Sequence, residues 1–172
     1  MAFTAQDVKK LREMTNVGMM DCKKALQATD GDMDKAVDWL REKGLAKAAK
    51  KADRIAAEGV AYATVVNGVG VVIEVNSETD FAAKTDSFMD LVKNLAVVVA
   101  EQNPADVEAL KACTYPNSNL TVTEIMQEKV MSIGENMVIR RFDRFAENTS
   151  VAYVHAGGAR GVLVNQIGRA HV

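Results

Sequence analysis

Val60-Ala61-Tyr62-Ala63-Thr64-Val65-Val66-Asn67-Gly68-Val69-Gly70-Val71-Val72-Ile73-Glu74-Val75 is the stretch that decides the fold. Two runs rich in valine, 60–66 and 69–75, flank Asn67-Gly68, the preferred pair for a two-residue type I′ hairpin turn. From Gly59 onward the period is that of strands. The second strand runs into a polar turn, Thr79-Asp80-Phe81-Ala82-Ala83-Lys84, which presents an acid and a bare aromatic. A strand that delivers Asp-Phe at its exit resembles a probe aimed at something outside the protein. The turn has no nucleophile–base pair, no glycine-rich phosphate cradle and no metal-ligand spacing, so it does not read as a catalytic site.

Working downstream, Phe88, Leu91, Val92, Leu95 and Val99 predict a helix over about 86–102 that faces the sheet. Pro104 is placed to open a short helix through Leu110. Thr121 or Thr123 caps a further helix to about Ile133, and Met137–Phe145, Val151–His155 and Gly161–Val164 read as strands. Residues 59–166 are therefore expected to form an antiparallel sheet with helices packed on one side, an α+β arrangement.

Upstream, residues 1–43 read as three short helices. Thr4 caps the first, with Asp7 as a capping-box variant, and Val8, Leu11 and Met14 form its apolar stripe. Asn16-Val17-Gly18 breaks the pattern, and Met19, Cys22 and Leu26 mark the second helix. Asp32 caps the third, whose Met33, Ala36, Val37 and Leu40 follow helical spacing, and Gly44 is expected to end it. Residues 44–58 then form a basic, alanine-rich linker carrying Lys47, Lys50, Lys51 and Arg54. A solvated linker helix explains them better than a contact with an acidic partner.

Composition narrows the function. An apolar fraction of 48% permits a sizeable core, and a net charge of −2 lacks the basic excess of general nucleic-acid or membrane binders. No apolar run approaches the roughly 18 residues that a membrane span needs, and the N-terminus lacks a secretory pattern. Cys22 and Cys113, far apart in sequence, fit a reducing cytoplasm. Cys22 lies among apolar neighbours and reads as core, and no second His or Cys supports a zinc site beside His155. No cofactor is expected.

Four segments, in order, carry a family resemblance. They are Leu11 to Leu26 (LREMTNVGMMDCKKAL), Thr79 to Lys84, Ile133-Gly134-Glu135-Asn136 followed by Ile139-Arg140-Arg141, and Tyr153-Val154-His155 followed by Gly161-Val162-Leu163-Val164. Together they resemble bacterial elongation factor Ts, the nucleotide exchange factor of elongation factor Tu, across residues 4–164. The resemblance implies a three-helix module like ubiquitin-associated domains, followed by a core α+β subdomain. It also implies binding to elongation factor Tu in its GDP-bound and nucleotide-free forms, with no direct nucleic-acid or membrane contact.

By this resemblance, Thr79, Asp80, Phe81 and Ala82 enter a crevice beside the partner's magnesium and phosphate site. Taken alone, Asp80 fits a helix cap and Phe81 a core anchor; the resemblance reverses both readings. Arg12, Met19 and Met20 become a docking surface, where the residues alone suggest core methionines and a solvated cation. Ile133 and Gly134 would add a contact at a helix tip that otherwise needs only a glycine cap. His155 would join the same surface, although it also fits a half-buried, satisfied histidine.

There are two departures from the family pattern. Ala82 stands where the family usually has valine, and the chain stops where the family would continue into a second core subdomain. The last six residues, Ile167-Gly168-Arg169-Ala170-His171-Val172, match the in-frame start of a common sequencing adapter. They are expected to be a non-native tail, and a longer genomic copy encoding them would overturn that expectation. The rival from another class is an adaptor that uses the three-helix module to bind partners and the sheet as a passive platform. An enzyme is disfavoured for want of any catalytic constellation.

Overall fold

Thr4 starts the first helix through a complete capping box. The Asp7 carboxylate accepts from the Thr4 N–H at 2.7 Å, and the Thr4 hydroxyl accepts from the Asp7 N–H. The computed structural model describes residues 3–166 and Gly168, so all of the expected tail except Gly168 lies outside the described residues. Helix α1 (Ala5–Thr15) stops at Asn16, which takes the left-handed conformation with φ 52°. Asparagine tolerates that region better than other side-chain-bearing residues. Helix α2 (Met19–Ala28) follows, and Asp32 then caps α3 (Met33–Lys51) by accepting from the Lys35 N–H.

Gly44 does not end the third helix, which runs on to Lys51. Gly44 is buried, and a methyl group there would meet the Gln127 carbonyl oxygen at 3.5 Å and the Met131 sulfur at 3.6 Å. The glycine occupies a packed helix face, and much of the expected linker is helix. The chain divides into two compact units. One runs up to Asp53 and includes Gln127–Gly134; the other comprises Arg54–Met126 and the described residues from Glu135. The core of the first joins Val8, Leu11, Val17, Cys22, Ala25, Leu26, Ala36 and Leu40 to Met131, a residue far along the chain. Burial pushes the Cys22 thiol above its ordinary pKa, which keeps it neutral and inert.

In the second unit, β1 (Glu58–Val66) and β2 (Val69–Ser77) form the expected hairpin. Asn67 (φ 50°) and Gly68 (φ 84°) both have the positive φ that a type I′ turn requires. Strand β3 (Met137–Phe145) pairs antiparallel with β2, giving the order β1-β2-β3. Between β2 and β3 lie α4 (Asp80–Ala83), α5 (Asp86–Gln102), α6 (Val107–Ala112) and α7 (Val122–Ile133), whose residues from Gln127 belong to the first unit. Helix α5 packs on β1 and β2, burying Phe88, Leu91, Val92, Leu95 and Val99 as its period implies.

Two sequence expectations need correction here. Helix α6 starts after Asp106, which accepts from the Ala109 N–H at 2.8 Å; Pro104 does not open it, because Asp106 supplies the cap two residues later. Thr121 and Glu124 cap α7 reciprocally. Among the described residues the later strands, β4 (Thr149–His155) and β5 (Arg160–Gln166), pair only with each other and form a separate two-stranded sheet. That hairpin packs against β1 and β2. Glycines permit the approach: a methyl group on Gly70 would lie 2.5 Å from the Ser150 hydroxyl oxygen, and one on Gly161 would lie 2.8 Å from the Ala61 carbonyl oxygen. The α+β arrangement holds, with two antiparallel sheets among the described residues in place of one.

Candidate functional site

The turn after β2 is built from both ends. Thr79 caps α4 by accepting from the Ala82 N–H at 3.3 Å, and the Ser77 hydroxyl donates to the Thr79 carbonyl at 2.9 Å. Ala82 and Ala83 are buried and pin the turn to the body of the unit. Phe81 points the other way and is 80% exposed, so it is not a core anchor. Asp80 is the first helical residue and not the cap; Lys84, one turn on, donates to it at 2.6 Å. That hydrogen bond and the Lys84 charge hold the Asp80 carboxyl below the usual carboxylate range. The result is a short, anchored turn that displays one anionic and one aromatic side chain.

His155 ends β4 and is exposed, so the half-buried alternative fails. Its Nδ1 lies 2.9 Å from the Tyr153 hydroxyl, and Arg160 is its cross-strand partner. The turn that follows, Ala156–Ala159, lines one groove of about 490 Å³ with Asp80, Lys84, Asn76 and Arg141. The fold therefore brings the Asp80 turn and the segment after His155 to a common groove, although 75 residues separate Asp80 and His155 in sequence.

The other expected contact residues belong to the first unit. Arg12, Met19 and Met20 are all exposed around the α1–α2 connection. Met19 is 45% and Met20 64% exposed, so neither is core. Ile133 is the last residue of α7, and Gly134 follows in the left-handed conformation at φ 89°, a C-terminal glycine cap. The Lys51 ammonium donates to the Gly134 carbonyl.

Comparison with known proteins places this architecture. The family model described as Elongation factor TS matches residues 78–171. Elongation factor Ts of Trichlorobacter lovleyi is 52% identical over 169 residues, covering 95% of this chain and 54% of that relative. The chain belongs to the elongation factor Ts family. It spans about half the length of the curated relative it matches.

In this chain, sequence reasoning missed the residues that hold the turn from beneath. Glu135 accepts from the Thr79 N–H at 3.0 Å and from the Thr79 hydroxyl at 2.6 Å. Glu78 accepts in turn from the Asn136 N–H at 2.7 Å and pairs with Arg54 at 3.4 Å. Glu135 and Asn136 stand inside one of the four family motifs, yet only its Ile133-Gly134 half carries an expectation. The Asp80–Lys84 pair was open to sequence reasoning, since residues four apart share a helix face. Met14, 57% exposed, is a further exposed methionine of the same unit as Met19 and Met20, outside the residues expected.

Proposed function

We propose that this chain acts in the cytoplasm as a guanine nucleotide exchange factor of translation elongation. In this reading it binds elongation factor Tu in its GDP form, promotes GDP release and performs no covalent chemistry. The observation that carries the reading is Phe81, held 80% exposed on a turn whose other face is buried. Leaving a phenylalanine in water forgoes about 1.5–3 kcal/mol of burial energy, which a crevice on a partner recovers. Asp80 accompanies the ring as a fixed negative charge.

Insertion of the ring beside the partner's nucleotide site displaces side chains that help to hold Mg²⁺. Magnesium demands nearly octahedral coordination at about 2.0–2.1 Å, so a small displacement costs much of its binding energy. Thr79 and Ala82 serve by anchoring the turn. Arg12, Met19 and Met20 dock the N-terminal unit through flexible, polarisable side chains beside a cation, and Ile133, Gly134 and His155 add contacts. Linkage makes the effect reciprocal: a factor that weakens nucleotide binding is itself weakened by nucleotide, so returning GTP releases it.

The test is the rate of GDP release from purified elongation factor Tu, measured with increasing amounts of this chain. Saturable acceleration is the expected result. Binding with an unchanged GDP off-rate would assign the chain to the adaptor class instead.

A further inference from the structure

We infer that Glu135 is the positioning residue that holds the Asp80–Phe81 turn in its inserting conformation, with Glu78 closing the same bracket from the opposite strand end. The inference rests on the exchange reading above and assigns that function a residue outside the inserting turn.

Its basis is a reciprocal exchange of carboxylates between two loops. From the loop before β3, Glu135 receives both donors of Thr79, the N–H at 3.0 Å and the hydroxyl at 2.6 Å. From the end of β2, Glu78 receives the Asn136 N–H at 2.7 Å, and the Asn136 side chain donates to the Arg54 carbonyl at 2.8 Å. Each loop thus places a half-buried carboxylate on the other's backbone. The two loops are 56 residues apart in sequence, so nothing local enforces this geometry. Hydrogen bonds to an ionised group are shorter and stronger than neutral ones, and a pair on one residue fixes direction as well as distance.

Thr79 is the hinge of the device. It is the cap of α4, and its hydroxyl both donates to Glu135 and accepts from the Ala82 N–H. Orienting that hydroxyl sets the first turn of a helix only four residues long, too short to hold itself. Phe81 lies on that turn and has little packing of its own, being 80% exposed. Its direction is therefore set through Thr79, and Thr79 is set by Glu135. Without the bracket the turn samples other conformations, and ordering it falls on the insertion step. Docking by Arg12, Met19 and Met20 is left alone, because those residues belong to the other unit.

The experiment is a cycle of Glu135→Ala, Phe81→Ala and the double variant, each titrated to saturation against elongation factor Tu loaded with fluorescent GDP. Glu135→Ala is expected to lower the saturated release rate about tenfold, with the half-saturating concentration changed less than about twofold. In the double variant the loss should be no larger than for Phe81→Ala alone, since the carboxylate acts through the ring. Glu135→Gln, which keeps an acceptor for the Thr79 N–H, should recover most of the rate and guards against a misfolded alanine variant. Amide exchange on the free chain should be faster at Thr79 and Ala82 in Glu135→Ala. A Glu135→Ala rate equal to that of the unmodified chain, while Phe81→Ala is impaired, overturns the inference and leaves the exchange reading intact. Additive losses in the double variant overturn it as well. If the unmodified chain fails to accelerate release, the exchange reading fails and the positioning role falls with it.

Discussion

Phe81→Ala is expected to separate stability from function. A fully buried phenylalanine replaced by alanine costs about 3–5 kcal/mol. Phe81 is 80% exposed, so roughly a fifth of that burial is at stake, about 0.6–1 kcal/mol. Alanine is also the better helix former by about half a kcal/mol, and position 81 lies within α4. The two effects nearly offset, and the net change in stability should stay within about 0.5 kcal/mol. The proposed exchange function should respond differently, because in that reading an inserted ring makes its contacts with the partner and not with its own fold. Stimulated GDP release should fall by at least about tenfold, equivalent to about 1.4 kcal/mol of lost transition-state stabilisation. Thermal melting and stopped-flow release on the same preparation provide both readings. A melting temperature lowered by the amount expected of a core substitution would refute the exposed-probe argument. Unchanged stability with unchanged release would refute the functional half alone.

Gly44→Ala should stabilise the first unit by about 0.5–1 kcal/mol, because the added methyl meets its neighbours at ordinary contact distance and alanine suits a helix interior; destabilisation in a urea titration would show that the face packed on Gln127 and Met131 has no room for the methyl. Arg12→Ala and Met20→Ala should weaken complex formation while leaving the saturated release rate nearly intact, and equal losses in both would remove the separation of docking from displacement. Asp32 accepts from the Lys35 N–H and pairs with its ammonium, which lowers its pKa, so its contribution to stability is present above the unfolded carboxylate value near about 3.9 and is lost as pH falls through the lower folded value. Asp32→Asn keeps a capping side chain without the titration, and its urea midpoint should vary less between about pH 2 and about pH 5 than that of the unmodified chain.

Local rules make much of this protein legible in its sequence. Thr4, Asp32 and Thr121 cap helices because a side-chain oxygen three residues ahead of an orphan N–H acts within one turn. Asn67-Gly68 closes its hairpin because two positive φ angles are cheap for that pair. The face of α5 follows from helical spacing alone. The aromatic at the exit of β2 also stands out in the sequence, although composition and period leave open whether it is core or probe.

Tertiary structure decides what local rules leave degenerate. Glycine after a helical run reads as a stop, yet α3 continues through Gly44 because that face packs on Gln127 and Met131, far along the chain. For the same reason the core of the N-terminal helices includes a residue that their own sequence does not contain. Strands β4 and β5 have the alternation of sheet members, but alternation does not name a partner, and among the described residues they pair only with each other. Phe81 is exposed because Ala82 and Ala83, and not the ring, are turned inward, a choice that rests on the surface beneath the turn. Glu135 reaches Thr79 only once the sheet has brought two distant loops side by side. Caps, turns and helix faces are determined within a few residues, since backbone hydrogen bonds and side-chain caps are short; register, partner and exposure depend on which distant segments burial of the apolar faces brings together.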